Sequence, residues 1–269
     1  MKKIIKIFLV FVIVIVAIHV ISAFTLDKNI EYKEVSFYSP NIPAEMDGYK
    51  IAFLTDTHSR DVEQLEEIVL AINELQPDLL LLGGDFDIFI SHEQSMKILS
   101  KIETTDGIYG VEGNHDEYNE LFTAMRQYDI QPLSNNGVHI REGFYLAGVE
   151  DMWNRNPDVA KAMKNANSND FTLLLAHNPD ITMTQDTTSI DLILSGHTHG
   201  GQITFLGILA PALLLPEILY ITNYGQRFMS GWAESYDGTP VYTSNGANTF
   251  PPRIFAPPQV ILIILRSEE

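Results

Sequence analysis

The chain has 269 residues, contains no cysteine and carries a formal net charge of −18. This length is enough for one large domain with a buried core, and the lack of cysteine excludes disulfides, thiolate metal sites and a cysteine nucleophile. Residues 25–269 hold 14 basic and 35 acidic side chains. So acidic a surface repels polyanions, which argues against sequence-independent binding of nucleic acid.

A long apolar segment lies near the N-terminus. Residues 7–24 carry no charge, and three lysines precede them. As a helix this segment would be about 27 Å long, close to the roughly 30 Å of a hydrocarbon core. It is either an uncleaved signal anchor, which its length favours, or a signal peptide cut near Ser22. An anchor would give a single-pass protein of the cell membrane with its domain outside, whereas cleavage would give a secreted protein.

The rest of the chain alternates between strand-like and helix-like segments. Strands are predicted at residues 32–38, 49–54, 78–82, 107–111, 171–176, 190–194, 242–246 and 260–265, and in the stretch 130–151. Helices are predicted at residues 61–75, 91–102, 117–128 and 157–165. Early alternation followed by crowded strands predicts an α/β fold in which two mixed β-sheets pack as a sandwich flanked by helices.

Five predicted strands end in residue types that bind metal ions. These are Asp56 with His58, Asp85, Asn114 with His115, His177, and His197 with His199. Taken singly, an Asp or Asn after a strand usually caps a turn, and a lone histidine there is usually a polar loop residue. Turn capping and chance do not explain five such strand ends in one chain. Loops at strand ends are where α/β folds build their sites, so a shared site is the better explanation. The nitrogen and oxygen donors suit manganese, iron, zinc, cobalt and magnesium.

The stretch 195–202 contains two of these histidines, at positions i and i+2, and glycines follow them. In extended backbone their side chains would lie on the same side, about 6–7 Å apart. At that distance they suit two neighbouring ions better than one. Asp85 stands alone at its strand end and is able to bridge two ions through its two carboxylate oxygens.

The order of these motifs resembles the calcineurin-like metallophosphoesterase superfamily. The matching blocks are Asp56/His58, Gly84-Asp85, residues 113–116 (Gly-Asn-His-Asp), His177 and residues 196–199 (Gly-His-Thr-His). The extended run Gly-His-Thr-His-Gly-Gly-Gln, together with the apolar N-terminal segment, resembles a bacterial membrane-associated subgroup. That subgroup includes phosphodiesterases and enzymes that cleave lipid-linked sugar nucleotides. The resemblance implies an αββα domain at residues 49–269, after a signal anchor at residues 1–26 and a linker with a first strand at residues 27–48.

Two divalent metal ions and a reaction are implied by the same resemblance. One ion would be bound by Asp56, His58, Asp85 and His199, and the other by Asp85, Asn114, His177 and His197. A hydroxide bridging the ions would attack phosphorus in line. His115 would stabilise charge or protonate the leaving oxygen, and Asp116 would orient His115. The expected substrate is a phosphodiester, pyrophosphate or phosphomonoester of the membrane or envelope, with lipid-linked compounds among the candidates.

Two other classes of protein remain as alternatives. The first is a non-catalytic scaffold that binds a partner with or without metal, which would not need His115 and Asp116. The second is a protein phosphatase or a nuclease, and the acidic surface counts against the nuclease. The sequence does not indicate the oligomeric state.

Two features near the motifs bear on the substrate. Arg60 follows the first ligand pair and is a weak candidate for contact with a substrate phosphate, with Arg227 and Arg253 weaker still. Phe86-Asp87 stand where the family often has an aliphatic residue, and we expect them to affect the wall of the pocket. The apolar residues 203–221 begin four positions after His199 and contain Pro211 and Pro216, which disfavour an uninterrupted transmembrane helix. They form either a core-packed loop or an apolar flap that contacts the bilayer or an acyl chain.

Overall fold

The protein is described here from a computed structural model, which describes residues 2–23, 29–59, 61–214 and 222–268. Its helices are α1 (Lys2–Ile21), α2 (Val62–Leu75), α3 (His92–Leu99), α4 (Tyr118–Gln127) and α5 (Val159–Ala162). Its strands are β1 (Glu31–Ser39), β2 (Lys50–Leu54), β3 (Leu79–Leu82), β4 (Ile108–Gly110), β5 (Gln131–Pro132), β6 (Asn136–Arg141), β7 (Phe144–Gly148), β8 (Phe171–Leu175), β9 (Leu192–Ser195), β10 (Gly231–Glu234), β11 (Pro240–Thr243) and β12 (Gln259–Ser267).

The strands form two six-stranded mixed sheets. The first sheet has the order β1-β12-β2-β3-β4-β5, and the second has the order β10-β11-β9-β8-β7-β6. Strands β2, β3 and β4 run parallel to one another, as do β7, β8 and β9. The carboxyl ends of these strands therefore lie together at one edge of each sheet, where α/β folds place their sites.

Three layers of buried side chains separate the sheets and helices. One layer packs α2, α3 and α4 on the first sheet, a second lies between the two sheets, and a third packs α5 on the second sheet. Strand β3 is continuously apolar because both of its faces are buried. Leu80 and Leu82 face the helices, whereas Leu79 and Leu81 face the other sheet. The predicted sandwich of two mixed sheets flanked by helices is confirmed.

The predicted elements differ from the observed ones mainly at their ends. The helix predicted at residues 91–102 is observed as the shorter α3. It begins after Ser91, and the Ser91 hydroxyl caps it by accepting a hydrogen bond from the backbone NH of Gln94 at 3.3 Å. The predicted helix at 157–165 is only the short α5. Strand β10 is an addition to the predicted set, because its four residues show no run of strand-forming type. Strand β1, predicted within the linker at residues 27–48, pairs parallel with β12 at the edge of the first sheet.

Helix α1 is the one helix among the described residues that is long and apolar enough to cross a membrane. The candidate span is Lys3–Ile21, 19 residues, and none of it is buried against the rest of the protein. Most apolar side chains of this span are exposed, which in water would be unfavourable and in a bilayer is not. The division between anchor and signal peptide stays a prediction.

Candidate metal centre

The metal centre is built where the loops after five strands meet. The loops after β2, β3 and β4 come from the first sheet, and those after β8 and β9 come from the second. Hydrogen bonds join the two sheets at this point: His177 Nδ1 donates to the carbonyl oxygen of Gly83 at 2.8 Å, and the backbone NH of His197 donates to Asp56 Oδ2 at 3.0 Å. The seven predicted metal ligands lie around this junction.

A first group of donors consists of Asp56, His58, Asp85 and His199, whose ligand atoms all lie within 4.8 Å of one another. His199 Nε2 lies 3.1 Å from His58 Nε2 and 3.2 Å from Asp56 Oδ1. Asp85 Oδ2 lies 3.6 Å from His58 Nε2. These are the four residues that the resemblance implied for one metal ion.

A second group consists of Asp85, His177 and His197, again within 4.8 Å of one another. His177 Nε2 lies 3.3 Å from Asp85 Oδ2, 3.3 Å from His197 Nδ1 and 3.1 Å from Asn114 Oδ1. The predicted ligand Asn114 thus reaches the group through its amide oxygen.

Asp85 belongs to both groups, but it uses its oxygens differently from the prediction. Its Oδ2 faces both His58 and His177. Its Oδ1 accepts a hydrogen bond from the backbone NH of His115 at 2.8 Å. One carboxylate oxygen is therefore shared between the groups, and the other holds the loop after β4.

Burial and neighbouring charges set the protonation of these groups. Burial lowers the pKa of His58 to about 4, and the charge of His199 adds to this effect. Burial, with the charge of His177, lowers the pKa of His197 to about 3. Burial alone would raise the pKa of the Asp85 carboxyl, but the charge of His177 reverses this and holds it below its ordinary value. Burial alone would also lower the pKa of His177, but the charge of Asp85 raises it well above its ordinary value, so a metal ion bound there would displace a proton. Carboxylate and neutral imidazole are the forms that bind metal ions.

The histidines also fit divalent metal ions in how their rings are oriented. On each of two rings, the nitrogen that points away from the centre has a hydrogen-bond partner. His177 donates through Nδ1 to Gly83, which leaves Nε2 as the ring nitrogen that faces Asp85 and Asn114. On His199, Nδ1 lies 3.1 Å from the side-chain oxygen of Gln202, and Nε2 faces the first group. Metal-binding histidines are oriented by such hydrogen bonds from the other ring nitrogen.

The backbone at these ligands is unusual. Five of the seven predicted ligands have positive φ angles: Asp56, His58, Asp85, His197 and His199, at 49°, 39°, 60°, 69° and 53°. Residues other than glycine avoid this conformation, and exceptions cluster at functional sites, where the surrounding structure holds them. Contrary to the prediction, the histidines at 197 and 199 are therefore not in extended backbone, and the turn between them is what places them in different groups.

Two glycines of the motifs are needed for close packing against the carboxylates. A Cβ at Gly113 would lie 2.1 Å from Asp85 Oδ1, and a Cβ at Gly196 would lie 2.1 Å from Asp56 Oδ2. No heavy atom fits at such distances, so any side chain there would displace a predicted ligand.

His115 lies at the exposed side of the centre and outside both groups of ligand atoms. Its ring centroid lies 5.5 Å from that of His58. Its backbone NH binds Asp85, so the ring position depends on the same carboxylate that the two groups share. An exposed imidazole beside the ligands is the type of group that general acid catalysis uses, and this role for His115 stays a prediction.

Asp116 does not orient His115, contrary to the prediction. Its Oδ2 accepts hydrogen bonds from the backbone NH groups of Asp85 at 2.7 Å and Gly113 at 2.9 Å. Its Oδ1 accepts from the backbone NH of Phe86 at 2.9 Å and faces His92 Nε2 at 3.1 Å. Asp116 is thus a positioning residue that fastens the loop after β3 to the loop after β4.

His92 is a buried partner of Asp116 that the sequence did not reveal. It is the first residue of α3, and its Nδ1 faces the carboxylates of Asp87 at 3.6 Å and Glu120 at 4.0 Å. Burial alone would lower the pKa of His92, but the hydrogen bond to Asp116 and the three negative charges raise it above its ordinary value. Since 24 residues separate His92 from Asp116, no local spacing signals the pair.

The pairing of His92 with Asp116 should make the free energy of unfolding depend on pH. Because the folded-state pKa of His92 is raised, its stabilising charge is fully present below the unfolded value of about 6.5 and is lost as pH rises through the folded value. His92→Gln should therefore cost about 1–3 kcal/mol at pH 6 and less at pH 9. Urea unfolding of both proteins across this range measures the difference, and a constant difference would contradict the assignment.

The structure describes two of the three arginines that the sequence offered as contacts for a substrate phosphate. Arg60 lies outside the described residues. Arg227 donates to the carbonyl oxygens of Glu234 and Ser235. Arg253 is buried and donates to backbone carbonyls, including that of His199 at 3.1 Å. Both side chains thus serve the structure of the C-terminal loops.

Phe86 also differs from its expectation, because it is fully buried under the helices and does not line the pocket. Two residues missed by the sequence do reach the centre. Asn248 Nδ2 lies 3.0 Å from His199 Nδ1, and the ring of Trp153 meets that of His197 edge-on, with centroids 4.8 Å apart. Both lie in loops far from the motifs along the chain.

Comparison with known proteins gives the family. The family model for calcineurin-like phosphoesterases matches residues 49–201. The metallophosphoesterase YkuE of Bacillus subtilis is 30% identical over 259 residues, which cover 88% of this chain and 86% of YkuE. A metallophosphoesterase of Helicobacter pylori J99 is 33% identical over 249 residues, which cover 87% of this chain but only 63% of that protein. Both relatives are named as uncharacterized.

A solved structure supports the fold. The crystal structure of TT1561 of Thermus thermophilus superposes with a TM-score of 0.50 at 14% identity, covering 74% of this chain and 89% of that one. A transmembrane protein with a metallophosphoesterase domain from Danio rerio is 28% identical and matches 84% of this chain, which spans 55% of that protein. The matched segment, residues 49–201, contains all seven predicted ligands. The chain therefore belongs to the calcineurin-like phosphoesterase family of metal-dependent phosphoester hydrolases.

Proposed function

We propose that this protein is a dinuclear metal-dependent phosphodiesterase or pyrophosphatase, anchored by α1 with its domain outside the cytoplasmic membrane. The observation that carries the proposal is the single oxygen Asp85 Oδ2, which two separate groups of donors share. Metal pairs about 3.5–4 Å apart clamp the attacking and leaving oxygens of phosphoryl displacement, and a carboxylate oxygen shared by two groups of donors is able to bridge such a pair.

The chain's own residues divide the work. Asp56, His58 and His199 would hold one divalent ion, and Asn114, His177 and His197 the other, with Asp85 between them. Bound ions would lower the pKa of water and neutralise the charge of the phosphate. His115, exposed beside the centre, would hold the proton that the leaving oxygen takes up. Asp116 keeps the loops after β3 and β4 at the distance that this geometry needs.

The charge of the protein is compatible with this reaction. An acidic surface repels anionic substrates at long range, but bound divalent ions reverse the local sign. Manganese is the metal that we propose to test first, since the set of carboxylate, imidazole and amide donors suits it.

The test measures hydrolysis of bis(p-nitrophenyl) phosphate and p-nitrophenyl phosphate by the detergent-solubilised full chain. After treatment with EDTA, we expect activity to return on addition of Mn²⁺. His115→Ala should lower the rate about 100-fold or more, the usual contribution of a general acid. The matched control is His139→Ala, because His139 pairs with Asp170 outside the metal centre, and its rate should stay close to that of the wild type.

The result also decides between the classes of protein. A higher rate on the diester supports the phosphodiesterase type, and a higher rate on the monoester supports a phosphatase. A folded protein that binds Mn²⁺ but hydrolyses neither compound would contradict the proposal and favour a non-catalytic scaffold.

A further inference from the structure

Three loops that carry residues of the metal centre also expose large apolar side chains. Phe89 is 60% exposed in the loop that follows Asp85, and Ile208 is 75% exposed in the loop that follows His199. A third loop exposes Phe250, two residues after Asn248. Together these side chains form what we call the apolar rim: Ile88, Phe89, Ile203, Phe205, Leu206, Ile208, Leu209 and Phe250. An exposed apolar patch beside a site usually marks an interaction surface.

Hydrogen bonds fix the conformation of residues 203–209, which carry most of the rim. Phe205 donates from its backbone NH to the carbonyl oxygen of Leu209 at 2.7 Å, which closes a tight hairpin. Buried Thr204 fixes the base of the hairpin: its backbone NH donates to Ile254 O at 3.0 Å, and its hydroxyl accepts from the NH of Gly207 at 2.9 Å. Residues 203–214 contain no charged side chain.

The two parts of the rim lie on connected loops. The rings of Phe89 and Phe250 stack with centroids 6.3 Å apart and planes within 6°. Gln202 donates from its side chain to the carbonyl oxygen of Phe250 at 3.4 Å, and the next residue, Ile203, pairs with Ile254. Gln202 and Asn248, which lie next to the two parts of the rim, both contact His199 Nδ1, so the rim borders this ligand.

The C-terminal end of α1 contacts this same surface. The ring of His19 stacks on Phe205, with centroids 5.3 Å apart, and meets Phe255 edge-on at 5.1 Å. Ser22 Oγ accepts a hydrogen bond from the backbone NH of Phe255 at 3.0 Å. The only candidate membrane span in the described part of the chain thus ends against the rim.

These contacts set the rim at the level where α1 leaves a bilayer. We propose that the apolar rim rests on the membrane that α1 spans, so that the metal centre opens at the lipid–water interface and takes phosphoesters of amphiphiles. The phosphate of such a substrate would reach the metal centre while its chain stays among the rim side chains. This inference rests on the proposed phosphoesterase function and adds the class of substrate.

Because the domain is acidic, the test uses a bilayer without net charge. An acidic domain is repelled by anionic lipids, so apolar contact is measured most cleanly on phosphatidylcholine. Nanodiscs of dioleoylphosphatidylcholine hold the full chain through α1 and leave both faces accessible.

The first experiment measures contact with lipid directly. Because the chain has no cysteine, Ile208→Cys accepts a single environment-sensitive fluorophore. The matched control is Tyr236→Cys: Tyr236 is also an exposed large apolar residue, at 78%, but it lies in the turn between β10 and β11, at the end of the second sheet away from the metal centre. We expect nitroxide-labelled lipids to quench the label at 208 at least twofold more than the label at 236. Equal quenching would overturn the proposal.

The second experiment measures the substrate class with two compounds that share one reacting phosphodiester. Hexadecyl p-nitrophenyl phosphate is mixed into the nanodiscs, and ethyl p-nitrophenyl phosphate is dissolved in the buffer. The double variant Leu206→Asp, Ile208→Asp changes two exposed side chains that lie outside the ligand set. It should lower the rate ratio of hexadecyl to ethyl ester about tenfold, equivalent to about 1.4 kcal/mol, and leave the ethyl ester rate within about twofold.

The outcomes separate this inference from the proposed function. If neither ester is hydrolysed with any divalent ion, the proposed function fails. If both are hydrolysed and the double variant leaves their ratio unchanged, the phosphoesterase stands and the rim proposal is wrong. An equal loss on both esters also contradicts the rim, because it would show damage to the metal centre itself.

Discussion

Replacing Asp85 with asparagine should reduce metal-dependent hydrolysis by more than about 100-fold, a loss larger than that expected from an outer-shell partner of a metal ligand. The substitution keeps the shape of the side chain and its ability to accept the hydrogen bond from the NH of His115. It removes the negative charge of Oδ2, which faces both groups of donors. One change should therefore weaken metal binding at two positions at once.

Metal content and activity are measured on the same sample. Asp85→Asn should bind fewer equivalents of Mn²⁺ after dialysis than the wild type and should show the reduced rate. The matched control is Asp129→Asn, because Asp129 has a similar left-handed backbone, with φ of 58° against 60° for Asp85, but is exposed and distant from the site. Wild-type metal content and rate in Asp85→Asn would contradict a bridging role.

Replacing Arg253 with methionine should be the most destabilising single change among the arginines. The side chain of Arg253 is 1% exposed. Its guanidinium donates to the carbonyl oxygens of His199, Asn245, Asn248 and Ala256. Buried carbonyls that lose their donors cost about 1–3 kcal/mol each, so we expect a loss of about 3 kcal/mol or more in the free energy of unfolding.

The control for this change is Arg227→Met. Arg227 also donates to backbone carbonyls, but it is more exposed than Arg253, so water replaces it and the cost should stay below about 1 kcal/mol. Urea unfolding followed by circular dichroism measures both variants. Arg253→Lys should recover only part of the loss, since an ammonium lacks the planar fork of a guanidinium. Equal effects at 227 and 253 would contradict the role assigned to Arg253.

The roles of Asp116 and Arg253 show how a charged residue near a motif can be misread. Asp116 follows His115 directly in the sequence, which suggests that it orients the neighbouring ring. In the folded protein its oxygens are occupied by the NH groups of Asp85, Phe86 and Gly113. A carboxylate is satisfied by whichever donors the tertiary structure brings to it, and two of these three come from another strand.

The apolar residues 203–221 gave two interpretations, and the structure divides the described part between them. Ala210 and Leu213 are buried, as a core-packed loop requires. Ile203, Phe205, Ile208 and their neighbours are exposed, as a flap requires. Hydropathy could not separate the two, since it does not say which apolar side chains find partners. Residues 215–221 lie outside the described part of the chain.

Local patterns in the sequence are enough to predict the candidate ligand types, their order and the strand ends that carry them. These follow from local patterns: apolar runs form buried strands, helical spacing forms α2 and α4, and parallel strands bring their carboxyl ends to one edge. Three-dimensional packing was needed to show that Asp85 shares one oxygen between two groups, that His92 pairs with Asp116, that Arg253 is buried, and that the rim meets α1. Each of these depends on contacts between residues far apart in the chain, and such contacts leave no periodic signal in the sequence.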